Sequence, residues 1–154
     1  MKIDCAETVL LGHEAFSTAG GTTVIPDREI TRNDLTDADA LIVRSKTKIT
    51  RELLQETPVQ FVGTATAGTD HIDATYLQSK GIYWGSAPGC NANSVSEYLI
   101  AALLVLGRRH GFDLEGKTIG VIGCGHVGSR VVKKCEALGM RVLRNDPPLA
   151  AVSP

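Results

Sequence analysis

Gly123-Cys124-Gly125-His126-Val127-Gly128 is the stretch whose reading decides the fold. It is a G-x-G-x-x-G run set between the apolar segment Thr118-Ile119-Gly120-Val121-Ile122 and a region in which Val127, Val131, Val132, Cys135 and Leu138 recur at helical spacing. Strand, tight loop and helix in that order build a site for a dinucleotide pyrophosphate. The first glycine lets the chain turn sharply, the second lets backbone approach the phosphates, and the third lets the helix lie close on the strand. The helix N-terminus adds unpaired N–H groups and the positive end of its dipole. Arg141-Val142-Leu143-Arg144 reads as the next strand, and Asp146 stands 18 residues beyond Gly128. An acidic residue there accepts hydrogen bonds from the adenosine ribose hydroxyls and repels a 2′-phosphate, which favours NAD over NADP, a preference that Arg144 nearby weakens without reversing. The expected cofactor contacts are Gly123, Gly125, Gly128 and Asp146, with His126 facing the cofactor through backbone more than side chain.

Upstream, short apolar runs alternate with helical patterns, the arrangement that yields a parallel sheet covered on both faces. Strands are predicted at Lys2 to Cys5, Thr23 to Ile25, Ala40 to Val43, Gln60 to Gly63 and Ile82 to Trp84, with Tyr83 and Trp84 expected in the sheet core rather than as a stacking platform. Helical stretches are predicted at Leu11 to Thr18, Asn33 to Leu35, Arg51 to Gln55 and Ala74 to Ser79. Thr50 and Asp73 are the expected N-caps of the last two. The turn-rich Gly85-Ser86-Ala87-Pro88-Gly89 precedes the strongest helical pattern, capped by Asn93 or Ser94, with Glu97 in its first turn and Arg108-Arg109 in its last. Tyr98, Leu99, Ala101, Ala102, Leu103, Val105 and Leu106 leave that helix little polar face, so burial is expected on nearly all sides. The division expected is therefore a substrate domain at 1–92, a connecting helix at 93–110, and the first βαβ of a cofactor domain at 111–154.

Composition limits the functional classes. The 154 residues are 43% hydrophobic and 21% charged, with a formal net charge of −1, which gives no electrostatic ground for binding nucleic acid or an anionic membrane. The longest uncharged apolar stretch, Tyr98 to Gly107, is too short to span a bilayer, and no basic-then-apolar leader is seen, so a cytoplasmic location is expected. Cys5, Cys90, Cys124 and Cys135 are scattered without C-x-x-C spacing, which argues against a zinc or redox pair.

Two loops in the first part carry chemistry at the carboxyl ends of predicted strands, where open α/β sheets bind ligands. Arg44-Ser45-Lys46-Thr47-Lys48 places three cations and two hydroxyls together as an anion site. The run from Gly63 through Asp73 offers small residues and the hydroxyls of Thr64, Thr66 and Thr69 to a carboxylate. His71, between Asp70 and Asp73, is read as serving the start of the following helix rather than as a base.

Val43-Arg44-Ser45, the run Gly63-Thr64-Ala65-Thr66-Ala67-Gly68-Thr69-Asp70-His71-Ile72-Asp73, the run Ala87-Pro88-Gly89-Cys90-Asn91-Ala92, the glycine loop and Asp146-Pro147-Pro148 together resemble the NAD-dependent D-2-hydroxyacid dehydrogenases. That resemblance implies a flavodoxin-like parallel-sheet substrate domain followed by the start of a Rossmann NAD-binding domain. It implies oxidation of a small phosphorylated 2-hydroxy acid on the route to pyridoxal 5′-phosphate, with the loop runs favouring 4-phosphoerythronate over 3-phosphoglycerate. It assigns substrate contact to Ser45 and Thr66, with Arg44 holding anionic groups, it assigns NAD contact to His126, Val127 and Asp146, and it implies a homodimer. In that family the catalytic arginine, the glutamate and the acid/base histidine lie further along than the 26 residues that follow Gly128. No residue here matches them, so no catalytic residue is assigned and the 154-residue chain is expected to be inactive alone. A non-catalytic NAD-binding module is the alternative from another class.

Overall fold

The computed structural model describes residues 1–148. It divides by internal contacts into one unit at Met1–Pro88 and a second from Gly89 onward.

The first unit is a five-stranded sheet of β1 (Lys2–Ala6), β2 (Gly21–Ile25), β3 (Ala40–Val43), β4 (Phe61–Thr64) and β5 (Tyr83–Gly85). Every pairing is parallel and the spatial order is β2-β1-β3-β4-β5. This is the flavodoxin-like order, in which the chain reverses direction across the sheet between β1 and β3. Crossovers are supplied by α1 (Gly12–Phe16), a 3₁₀ turn at Arg32–Leu35, α2 (Arg51–Leu54) and α3 (Ala74–Lys80). Thr50 caps α2 by accepting the Leu53 N–H, and Asp73 caps α3 by accepting the Tyr76 N–H at 2.9 Å, as their positions predict.

Strand alternation sorts the core onto two faces. Ala6, Leu41, Val43 and Val62 join Leu35, Ala38, Ile49, Leu54, Val59 and Leu77 on one side, while Ile3, Cys5, Ala40 and Ile42 pack with Val9 and Phe16 on the other. Central β3 is buried along its whole length, which is why Ala-Leu-Ile-Val shows no polar alternation. The outer strand is different. Tyr83 is 78% exposed and Trp84 also lies open, so these aromatics are not core, because β5 pairs on one side only.

Asp4 is the exception in this core. It sits in register with Leu41 and is fully buried, with no hydrogen-bond partner for either carboxylate oxygen and Lys2 Nζ 4.0 Å away. Loss of water raises its pKa above the ordinary value, and Lys2 only partly opposes this. For an acid whose folded pKa is raised, the stabilising contribution is present below the unfolded pKa and lost as pH rises through the folded one. Asp4→Asn is therefore expected to stabilise the first unit on the order of 1 kcal/mol at pH 7. The gain should vanish near pH 3, where Asp4 itself is protonated; urea titrations at both pH values check this, and a loss of stability at pH 7 would refute it.

The second unit comprises α4 (Ala92–His110), β6 (Thr118–Ile122), α5 (His126–Ala137) and β7 (Arg141–Asn145). β6 and β7 pair in parallel from Thr118↔Arg141 to Ile122↔Asn145, with α5 as the crossover. Leu114, Val121, Val131, Val132, Cys135 and Met140 form the core, and α4 adds Leu99, Ile100 and Leu103 to its edge. By internal contacts the units divide at Pro88/Gly89. The helix expected as a connector at 93–110 contributes to the second unit's core, and two expectations for it do not hold. Its N-cap is Asn91, which makes no side-chain capping bond, so Glu97 lies beyond the first turn. Only one stripe of α4 is covered, and Tyr98 and Val105 are 77% and 65% exposed. An almost wholly apolar helix does not specify which of its faces meets the core. Among the described residues, no helix is long and apolar enough to cross a membrane.

Candidate substrate and cofactor sites

In the first unit, the sequence-predicted residues come together at the carboxyl ends of adjacent strands. Arg44 and Ser45 follow β3 directly, and Thr66 lies two residues beyond β4. The two loops are stitched by the Ala65 N–H, which donates to the Val43 carbonyl at 2.9 Å. Arg44 is exposed, and its NH1 donates to the Thr8 carbonyl at 3.3 Å in the loop after β1. It thereby spans the β1/β3 reversal, where this class of sheet places ligands, and keeps further guanidinium donors for an anion.

The cationic loop does not act as a single site. Thr47 is buried, and its hydroxyl contacts the Asp27 backbone carbonyl at 3.2 Å, so it is consumed inside the fold. Lys46 and Lys48 line a separate concavity of about 570 Å³ with Arg28, Thr31 and Thr50. Arg32 borders it too but is committed to the Glu52 carbonyl and the Glu56 carboxylate. Arg44, Thr47 and the two lysines of this five-residue run therefore meet different surroundings, a consequence of the turn that a linear count of charges does not show.

His71 is the residue whose surroundings the sequence did not indicate. Asp73 caps α3, whereas the His71 ring reaches β4, with Nε2 2.9 Å from Thr64 Oγ1. Thr64 Oγ1 is 2.7 Å from Thr66 Oγ1, which lies 2.9 Å from the Gly68 carbonyl. Burial lowers the His71 pKa from its ordinary value, and the nearby Asp70 charge opposes part of that. A histidine seven residues from Thr64 carries no periodic signal. Only the parallel bridge between Ile49 and Ile72 brings the ring back to the strand end.

In the second unit, the glycine run takes the strand–loop–helix form. Gly123 has φ +85°, Gly125 is the N-cap of α5, and His126, Val127 and Gly128 open the helix. The first bond of α5 in this loop runs from the Ser129 N–H to the Gly125 carbonyl, so the preceding N–H groups lie ahead of the helical ladder, where a helix end is suited to an anion. The His126 ring lies against Gly89, where an added Cβ would come within 3.0 Å of Cγ and Nδ1. Its carbonyl accepts from Arg130 at 2.7 Å, and the residue meets the helix end through its backbone. Asp146 follows β7, and its Oδ2 accepts the Cys124 N–H at 2.6 Å. This charge-assisted bond ties the acidic residue to the loop. Arg144, which could have offset the acid's preference against a 2′-phosphate, pairs instead with Glu136 at 2.6 Å. Lys134, Asn93 and Glu97 join α4 to α5: Lys134 Nζ lies 3.1 Å from Asn93 Oδ1 and 3.4 Å from Glu97 Oε1.

The loop residues fit a bound dinucleotide. A Cβ built on Gly125 meets nothing within 4 Å, so the space over the helix end is open to a ligand rather than filled by the fold.

Residues 13–141 match the family described as D-isomer specific 2-hydroxyacid dehydrogenase, catalytic domain. The chain is 50% identical over 151 residues to erythronate-4-phosphate dehydrogenase of Salmonella arizonae, and 51% identical to the enzyme of the same name from Salmonella paratyphi B. In each case the alignment covers 98% of this chain and 40% of the relative, so the chain spans about two fifths of the length of the curated relatives it matches. Among solved structures, it resembles an NAD⁺-bound 3-phosphoglycerate dehydrogenase from Entamoeba histolytica, with 33% identity, a TM-score of 0.73, and coverage of 96% of this chain and 54% of that one. It also resembles a D-lactate dehydrogenase from Aquifex aeolicus complexed with NAD and lactic acid, with 26% identity, a TM-score of 0.75, and coverage of 92% and 50%. With the parallel sheet, the glycine loop and its acidic partner in place, this chain belongs to the D-isomer specific 2-hydroxyacid dehydrogenase family.

Proposed function

We propose that the chain supplies the substrate-binding unit and the first part of the NAD-binding unit of an erythronate-4-phosphate dehydrogenase. The reaction in this reading is oxidation of the 2-hydroxyl of 4-phospho-D-erythronate to the 2-oxo acid, a step toward pyridoxal 5′-phosphate. The identity of about half the residues to enzymes of that name favours this substrate over 3-phosphoglycerate. A cytoplasmic homodimer completes the reading, on the family likeness.

NAD supplies the hydride acceptor when bound. The protein's own contribution is binding and orientation. The helix end at His126 and Val127 holds the pyrophosphate, the lack of a side chain on Gly125 admits it, and Asp146 accepts from the ribose while disfavouring a 2′-phosphate. Arg44 holds an anionic group of the substrate, with Ser45 and Thr66 fixing its polar groups. Loss of a proton from the 2-hydroxyl requires a base, and charge on the developing carbonyl oxygen requires a cation. None of the described residues is assigned either role, so binding is the activity proposed for these residues alone.

The observation that carries the cofactor half is the 2.6 Å bond between Asp146 and the Cys124 N–H, which places the acid against the glycine loop. Calorimetric titration of the chain with NAD is expected to show saturable binding, weakened about 10- to 100-fold in Asp146→Ala by loss of charge-assisted hydrogen bonds. Equal affinity of the variant, or no binding by a folded parent chain, would overturn the assignment.

A further inference from the structure

His71 stands at the head of a chain of three contacts whose proton directions can be counted. Its backbone is held in the Ile49–Ile72 bridge, with its carbonyl accepting from Ile49 N–H at 2.8 Å and Asp73 N–H donating to Ile49 at 3.0 Å. That frame brings the ring to Thr64, which is only 4% exposed. A hydroxyl has one proton to donate, and a backbone carbonyl can only accept. The Thr66 proton is therefore committed to the Gly68 carbonyl at 2.9 Å. The 2.7 Å contact between Thr66 and Thr64 must then use the Thr64 proton. With its own proton spent, Thr64 can only accept in the 2.9 Å contact with His71, so Nε2 must carry hydrogen.

The reverse direction fails. If Nε2 accepted from Thr64, then Thr64 would accept from Thr66, and the Thr66 and Gly68 oxygens would face each other with no proton between them. Both the neutral Nε2–H imidazole and the imidazolium donate at Nε2, so the direction survives protonation. Burial, opposed by the charge of Asp70, favours the neutral form.

We infer that His71 is a positioning residue that, by donating from Nε2, polarises the Thr64–Thr66 pair so that Thr66 offers the substrate an acceptor and takes one of its hydroxyls rather than its carboxylate or phosphate. This rests on the proposed assignment of Thr66 to the substrate site. It deepens that assignment by saying which part of a phosphorylated hydroxy acid Thr66 recognises, and it leaves the anionic groups to cations such as Arg44.

Two measurements test it on the full chain. Long-range ¹H–¹⁵N spectra of the imidazoles at pH 8 are expected to show His71 as the Nε2–H tautomer; an Nδ1–H tautomer overturns the inference whatever the chain binds. Calorimetry then compares 4-phospho-D-erythronate with 4-phosphooxybutanoate, which keeps both anions and lacks both hydroxyls. The parent chain is expected to prefer the hydroxylated probe by about tenfold, the size of one hydrogen bond. His71→Gln, whose amide can donate from a similar position, should keep most of that preference. His71→Leu, which removes the donor, should lose it while its amide spectrum stays folded. An unchanged preference in His71→Leu overturns the positioning role. If the parent binds neither probe, the substrate reading falls and takes the role of Thr66 with it, while the tautomer separately decides the proton direction within the fold. Should His71→Leu not fold, the tautomer and the His71→Gln comparison still decide the matter.

Discussion

Gly128→Ala is expected to cost the second unit about 3 kcal/mol and to abolish NAD binding, because overpacking against rigid backbone cannot be relieved by a rotamer change. Gly128 is the third residue of α5, buried where the helix returns over the end of β6. A Cβ there would overlap the Gly123 carbonyl oxygen and sit 2.9 Å from its carbon and 3.4 Å from Val121 Cγ1. Relief requires moving the loop that aims the helix end, so stability and cofactor affinity should fall together. Gly125→Ala separates the two effects. Its Cβ enters open space within the chain itself, so stability should change by less than about 1 kcal/mol while NAD affinity falls, since the approach of the pyrophosphate is what the missing side chain permits. Thermal melts of both variants, paired with NAD titration, check this. A Gly128→Ala chain as stable as the parent would show that the loop is not held as described.

Leu41→Ala is expected to destabilise the first unit by about 3 kcal/mol, the middle of the range for truncating a fully buried leucine. Leu41 is 0% exposed on the central strand, between Asp4 of β1 and Val62 of β4. Its cross-strand neighbours belong to two different strands and cannot all close on the space left behind. Against a typical total of 5–15 kcal/mol for a domain, such a loss takes a large share. It should also weaken substrate binding, since β3 delivers Arg44 and Ser45. Leu10→Ala is the control: Leu10 is 85% exposed, and its truncation should change stability by less than about 0.5 kcal/mol. Denaturant midpoints decide, and similar midpoints for the two variants would contradict the core described.

The parts of the fold legible in the sequence share a physical origin. Strands were readable where a run is short and apolar, and β3 at Ala40–Val43 matches the expectation residue for residue because burial on both faces removes every polar interruption. Thr50 and Asp73 were readable as caps because a short polar side chain before a helix satisfies a local N–H. The glycine loop was readable because Gly123 takes a positive φ and Gly128 lies where helix meets strand, two backbone demands that other residues meet poorly. Where the reading missed, the deciding contacts came from far along the chain. The covered face of α4 depended on which stripe of an apolar helix the second core accepts. The exposure of Tyr83 and Trp84 depended on β5 standing at the edge.

By itself the sequence determined what is local: the alternation of strands and helices, the caps, the order of loop, helix and acid, and thereby the family. Tertiary structure decided what depends on return of the chain. It placed Asp146 on the Cys124 N–H, diverted Arg144 to Glu136, split the cationic loop so that Thr47 is consumed by Asp27, and turned His71 onto Thr64. The reason is that propensity, periodicity and capping act over a few residues along the backbone, whereas hydrogen-bond direction and charge pairing are set by atoms that only the parallel pairing of distant strands brings within 3 Å.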